Sequence, residues 1–159
     1  PIYSDQDPDM ALKENIVVFP HRLDEEKNPD LFDWLADQFK YSGWQFIKTK
    51  EVCKTKKEYF EILNRAKIAV SFADQETWGI AQQEALFAKC FPVVPNKLSY
   101  KELYHRVFRF SELYESVQCI KKFMKPTKRH ISKMLHNREA LLQRGDVAIL
   151  NMVIEMEKL

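Results

Sequence analysis

Short runs of β-branched and aromatic residues alternate with amphipathic stretches along the first two thirds of this chain, and that alternation constrains the fold more than any other feature. Ile16, Val17, Val18 and Phe19 form an apolar run stopped by Pro20. Residues 44–47, 68–72 and 91–94 repeat the pattern, and 107–110 is a shorter fifth candidate. Between the first two runs, Asn28 as N-cap and Pro29 in the first turn open a helix with Leu31, Phe32, Leu35 and Phe39 on one face, broken at Ser42-Gly43. Residues 57–66 carry Tyr59, Phe60, Ile62 and Leu63 as the apolar positions of a second helix, and 79–88 form a third. Strands that are apolar throughout, each followed by a helix, specify a parallel sheet covered on both faces. The expected class is α/β, a Rossmann-like doubly wound parallel sheet with C-terminal helices. Ser111 caps the first of these helices, ending near residue 124, and Pro126-Thr127 open the second, ending near 143. Gly145 stops that helix, and 147–157 form a last amphipathic one.

The chain has 159 residues, 45% of them hydrophobic and 13% aromatic, enough for one domain with a packed core and too apolar for a disordered tail. With only 3 glycines it has no glycine-rich loop to spend on a phosphate. Its 3 cysteines contain no CxxC pair and its 4 histidines lack ligand spacing, so no metal site is expected, and a reducing, cytoplasmic setting fits. No apolar run approaches the roughly 18 residues of a membrane span. The chain opens at Pro1 with a polar, acidic lead-in, Ser4, Asp5, Asp7 and Asp9, and reads as a piece of a longer protein with a linker over 1–14. Charge is uneven: residues 1–39 hold ten Asp or Glu against three Lys or Arg, and residues 97–144 hold twelve Lys or Arg against four Asp or Glu. The basic half suits either a polyanionic partner or solvated helix faces.

In doubly wound sheets ligands lie beyond the carboxyl ends of the strands. The first such loop carries Arg22 and Lys27, a planar fork and a point charge suited to phosphate. Neither GxGxxG nor GxxxxGK[ST] is present, which argues against nicotinamide, flavin and P-loop chemistry. After the third run, Gly79 opens a helix whose first amides and dipole suit a pyrophosphate. Glu84 interrupts the apolar face of that helix (Ile80, Ala81, Ala85, Leu86), and a carboxylate there can accept two hydrogen bonds from a ribose diol. Glu76, just before the helix, is placed for sugar hydroxyls or a developing positive charge.

Glu76 and Glu84 form an E-x7-E motif, followed by Ala85 and a Phe91-Pro92-Val93-Val94 strand. With Arg22 and Lys27 after the first strand, this resembles the C-terminal, donor-binding domain of retaining glycosyltransferases of the GT-B fold. Within that group the chain is similar to the transferases that mannosylate queuosine in transfer RNA. The shared segments are Pro20-His21-Arg22, Glu26-Lys27-Asn28-Pro29, Gly79-Ile80-Ala81 and Pro95-Asn96-Lys97-Leu98-Ser99-Tyr100. The resemblance implies one half of a GT-B fold that takes a hexose from a UDP- or GDP-linked sugar. Arg22 and Lys27 would hold the diphosphate and stabilise it as leaving group, with Gly79 and Ile80 adding backbone donors. Glu84 would bind the ribose, and Glu76 the sugar and its oxocarbenium-like transition state. Trp78 would either pack under the sugar or serve as a buried core aromatic, and the base would sit near residues 50–53. No DxD motif stands near these loops and the cationic pair takes the place of a metal, so no obligatory cofactor or divalent ion is implied. Residues 15–145 would be the nucleotide-sugar-binding domain, and 146–159 a helix bracing an N-terminal acceptor domain absent from this sequence. The fragment alone would be inactive. The chain departs from the family at His21 and Asn28, where glycines are common, at Trp78, where Phe is common, and at Asn96-Lys97, where a Gly-Gly pair often stands.

The basic positions Lys121, Lys122, Lys125, Lys128, Arg129 and Lys133 favour a nucleic-acid acceptor, against lipid, protein or glycan. The competing reading is a non-catalytic nucleotide- or nucleic-acid-binding module derived from such a transferase.

Overall fold

The computed structural model describes residues 7–76 and 79–144. Trp78 and the helix expected over 147–157 lie outside the described residues. The strands are β1 (Ile16–Phe19), β2 (Gln45–Lys48), β3 (Ile68–Val70), β4 (Phe91–Pro95) and β5 (Arg109–Phe110). They pair in parallel in the order β2-β1-β3-β4-β5, with Val18 opposite Ile47 and Ala69 opposite Pro92. The doubly wound sheet is therefore as expected. The order reverses direction at β1, which makes the crevice between the ends of β1 and β3 the topological switch point.

Alternation along the strands assigns the helices to faces. Val17, Phe19, Ile68 and Val70 pack against Phe32 and Leu35 of α2 (Pro29–Gln38) and against Ile120 and Phe123 of α7 (Leu113–Met124). Ile16, Val18 and Ala69 point the other way, onto Phe60 and Leu63 of α4 (Lys56–Arg65) and Ala85 of α5 (Ile80–Phe87). The long α8 (Lys128–Gln143) packs on α5.

Several boundaries differ from the sequence expectation for physical reasons. Asn28 precedes α2 but takes a left-handed conformation, φ 54° and ψ 56°, and makes no side-chain cap. Its amide instead donates to the Phe72 carbonyl at 2.8 Å. Glu112, not Ser111, caps α7, through a reciprocal capping box with Glu115. Part of the fifth run is a 3-10 turn, Arg106–Phe108, leaving β5 two residues long. Three single-turn helices were not expected: α1 (Pro8–Ala11), α3 (Thr49–Val52) and α6 (Tyr100–Leu103).

Asp7 and Asp9 of the lead-in are anchored at the end of the sheet opposite the switch-point crevice. Lys89 Nζ meets Asp7 at 3.0 Å and Asp9 at 2.7 Å. The buried Lys13 ammonium donates to the carbonyls of Leu63 and Ala88, at the carboxyl ends of α4 and α5, where a cation complements the exposed carbonyls.

Phe123 is fully buried and stacks on Phe91 with centroids 4.9 Å apart and planes 2° from parallel. Phe123→Ala is expected to cost about 3–5 kcal/mol in urea denaturation, through lost transfer energy and a residual cavity.

Candidate functional site

The loops after β1 and β3 are joined to each other before they are joined to any ligand. The Asn28 bond to Phe72 is one tie, and the Asp74 amide donates to the Glu26 carbonyl at 2.8 Å. Lys27, on a 3-10 turn over Glu25–Lys27, is thereby turned inward. Its ammonium lies 2.7 Å from Glu76 Oε2 and donates to the Gln75 carbonyl at 3.3 Å. The two charged side chains are only 9% and 16% exposed. Burial works to raise the Glu76 pKa. The hydrogen bond and charge of Lys27, with the Gly79 amide, outweigh it and hold the carboxyl below its ordinary range. Arg22 stays in solvent and pairs with Asp24 at 3.3 Å and Glu26 at 4.0 Å.

Gly79 is the N-cap of α5 with φ +60°, a conformation that costs other L residues strain. A Cβ there would come within 2.9 Å of Tyr100 Cε1. Tyr100 is itself fixed by a 2.8 Å hydrogen bond between its hydroxyl and Ser71 Oγ. Ile80, 41% exposed, lines the crevice at the opening of the helix. Glu84 follows one turn later, and its Oε1 accepts a hydrogen bond of 3.1 Å from the Tyr59 hydroxyl on α4. Burial, reinforced by Glu84, pushes the Tyr59 phenol far above its usual pKa, so it remains a donor.

The crevice these groups enclose has a volume of about 460 Å³. Arg22, Lys27, Glu76, Ile80 and Glu84 all line it, so the structure gathers the described sequence candidates around one space, with Gly79 at the helix mouth. Lys50 and Cys53, beside which the sequence suggests a base, line the same space next to Tyr59.

Sequence reasoning missed two parts of the site, Tyr59 and Gln82, and left His21 open between a phosphate or acceptor contact and a packing residue at the strand end. Tyr59 has the spacing of a core residue, and only its pairing with Glu84 across two helices distinguishes it. The other part lies beneath the crevice. The Gln82 amide nitrogen donates to the Ala69 carbonyl at 2.8 Å, so its oxygen accepts from His21 Nε2 at 3.0 Å. Gln82 is fully buried and His21 only 2% exposed. A polar residue on an otherwise apolar helix face was the available signal. His21 is thus a packed, neutral floor residue: burial, with Lys27 adding to it, pushes its pKa down to about 4.

A second electrostatic feature lies away from the crevice. Burial and the charges of Lys133, Arg106, Arg109 and Arg129 lower the pKa of His105. Burial and the charges of Lys122, Lys133 and Arg129 do the same at His130. Lys121, Lys122, Lys125, Lys128 and Arg129 are exposed there. Among the described residues no helix is long and apolar enough to cross a membrane. No group of three or more His, Cys, Asp or Glu is placed to hold a metal ion among them either.

The fold is one half of a GT-B fold, a Rossmann-like sheet with its crevice at the switch point, and the proteins this chain resembles are glycosyltransferases. It is 32% identical to the tRNA-queuosine alpha-mannosyltransferase of Drosophila melanogaster over an alignment of 113 residues, which spans 55% of this chain and 30% of that protein. The chain thus matches less than a third of that curated relative's length. Among solved structures it resembles a variant of TarM from S. aureus, determined with fondaparinux, alpha-GlcNAc-glycerol and UDP. The TM-score is 0.68 and the identity 16%, covering 90% of this chain and 35% of TarM. The catalytic domain of cholesterol-alpha-glucosyltransferase from Helicobacter pylori matches with a TM-score of 0.63 and 16% identity, over 81% of this chain and 98% of that domain. No model of a known protein family matches the chain.

Two outcomes follow from the site's geometry. His21 should show no titration in NMR above about pH 5 in the folded protein. Its unfolded value is 6.5 and its folded value about 4, so the unfolded chain binds more protons between them. The associated stability, on the order of 3 kcal/mol, is whole above pH 6.5 and declines as the pH falls toward 4. Gly79→Ala should lower the midpoint of thermal unfolding, by left-handed strain of about 1 kcal/mol or more plus the clash with Tyr100.

Proposed function

We propose that this chain is the donor-binding half of a retaining glycosyltransferase, which moves a hexose from a UDP- or GDP-linked sugar to an acceptor held by another part of a longer protein. The observation that carries this reading is the crevice at the switch point. It brings two cations, the amino end of α5 and the two carboxylates of the E-x7-E motif around one space, although they lie up to 62 positions apart, from Arg22 to Glu84. UDP in the complex of the structurally similar TarM supports a nucleotide as occupant.

In this reading Arg22 and Lys27 neutralise the diphosphate, and the amides at Gly79 and Ile80 complete its binding. Glu84, oriented by Tyr59, accepts from the ribose diol, and the segment around residues 50–53 meets the base. Glu76 takes the hydroxyls of the transferred sugar and faces the positive charge that develops as the glycosidic bond lengthens. Catalysis is electrostatic: fixed cations and helix amides stabilise the departing diphosphate without an obligatory metal ion. The acceptor attacks from the face the diphosphate leaves, so configuration is retained without a protein nucleophile.

For the acceptor we propose a nucleic-acid base. The likeness to a transferase named for tRNA-queuosine supports it, and so does the cationic surface around His105 and His130, which suits a phosphate backbone. The free thiols of Cys53, Cys90 and Cys119 suit a reducing cytoplasm. That same surface favours a second reading, a non-catalytic nucleic-acid-binding module.

Calorimetric titration with UDP, GDP and their glucose and mannose conjugates separates the two. One nucleotide should bind in the micromolar-to-millimolar range, and Glu84→Ala and Arg22→Ala should each weaken it about tenfold, as expected for a lost charge-assisted hydrogen bond. Binding of RNA with none of the nucleotides would establish the second reading instead.

A further inference from the structure

We propose that Glu76 makes the crevice discriminate between the sugar-bearing donor and the bare nucleoside diphosphate, because in the empty protein this carboxylate occupies the place of the diphosphate. The proposal rests on the reading above of Lys27 and Gly79 as diphosphate ligands.

The Lys27 ammonium has three donors, and residues 75 and 76 take two of them: the Gln75 carbonyl at 3.3 Å and Glu76 Oε2 at 2.7 Å. The Gly79 amide, at the mouth of α5, also acts on the Glu76 carboxylate. An anion that bridges a lysine and a helix amino end is in the position where a phosphate would be bound. The protein therefore holds its own anion in its anion site. An incoming diphosphate that takes the remaining donor of this ammonium is brought up against Glu76, and the like-charge repulsion between them favours displacement of the carboxylate.

What the displaced carboxylate meets next decides the outcome. Glu76 already lines the crevice, so that space is open to the displaced carboxylate. With a bare nucleoside diphosphate bound, it comes to lie beside two phosphates, having lost its contact with the Lys27 ammonium. With a sugar on the outer phosphate, hydroxyl donors stand where the carboxylate arrives, and it can accept from them. The same side chain thus penalises the product of transfer and accommodates the donor. Once the glycosidic bond has broken and the sugar has left, Glu76 can return to Lys27 and displace the spent nucleotide.

The test is titration of the chain with UDP, GDP, their glucose and mannose conjugates, and inorganic pyrophosphate, for wild type, Glu76→Gln and Glu76→Ala. Thermal unfolding of each variant serves as the control for folding. Both variants should bind the preferred nucleoside diphosphate and pyrophosphate about tenfold more tightly than wild type. The preference for the sugar conjugate over the bare nucleotide should shrink by about tenfold or more. If folded variants bind the bare nucleotide equally or more weakly, or keep the wild-type preference, Glu76 has no such role, although the donor-site reading survives. If folded wild type and variants bind none of the nucleotides or conjugates, the donor-site reading falls and this proposal with it.

Discussion

A parallel sheet buried on both faces commits its amides and carbonyls to the ladder and its side chains to two cores, so polar chemistry is confined to the strand ends. In this chain Val17 and Phe19 serve one core while Ile16 and Val18 serve the other. The sheet order turns at β1, and the loops leaving β1 and β3, tied to each other, border the crevice there. Arg22, Lys27, Glu76, Gly79 and Glu84 all belong to those loops or to the first turns of α5. Strand order brings them to one end of the sheet, and the contact between Lys27 and Glu76 fixes two of them there.

Within the crevice, groups that bear on a ligand differ from groups that hold the shape. His21, Gln82 and Ala69 form a closed hydrogen-bonded chain beneath it, and a neutral imidazole there adds no charge of its own. Asn28 and Asp74 tie the two loops together. Lys27 and Glu76 are of another kind. A partly buried ion pair recovers little net stability once desolvation is counted, so this one contributes little to holding the fold. Tyr59 stands between the two groups, since it packs as a helix residue while its hydroxyl orients Glu84.

The strands and the long helices were legible because their signals are periodic and local, as with Ile16 to Phe19 or the face of Leu31, Phe32 and Leu35. The candidate site was legible as a set of residues, because the E-x7-E spacing and the cations after the first strand survive in one dimension. Asn28 shows where such reading stops. Its position before Pro29 marks a cap, yet a carbonyl 44 residues away, at Phe72, competes successfully for its amide. The two short helices at Thr49–Val52 and Tyr100–Leu103 are too brief to carry a period and depend on packing.

The sequence by itself determined the alternation of strand and helix, the class of sheet it builds and the residue types available at its carboxyl edge, since each follows from local hydrophobic pattern and turn chemistry. Only the tertiary structure decided that Lys27 faces inward onto Glu76 while Arg22 stays in solvent, and that Tyr59 reaches Glu84. It likewise made His21 a neutral part of the floor. These outcomes depend on burial and on partners distant in the chain, and a side chain's charge, pKa and orientation are set by the groups that folding places around it.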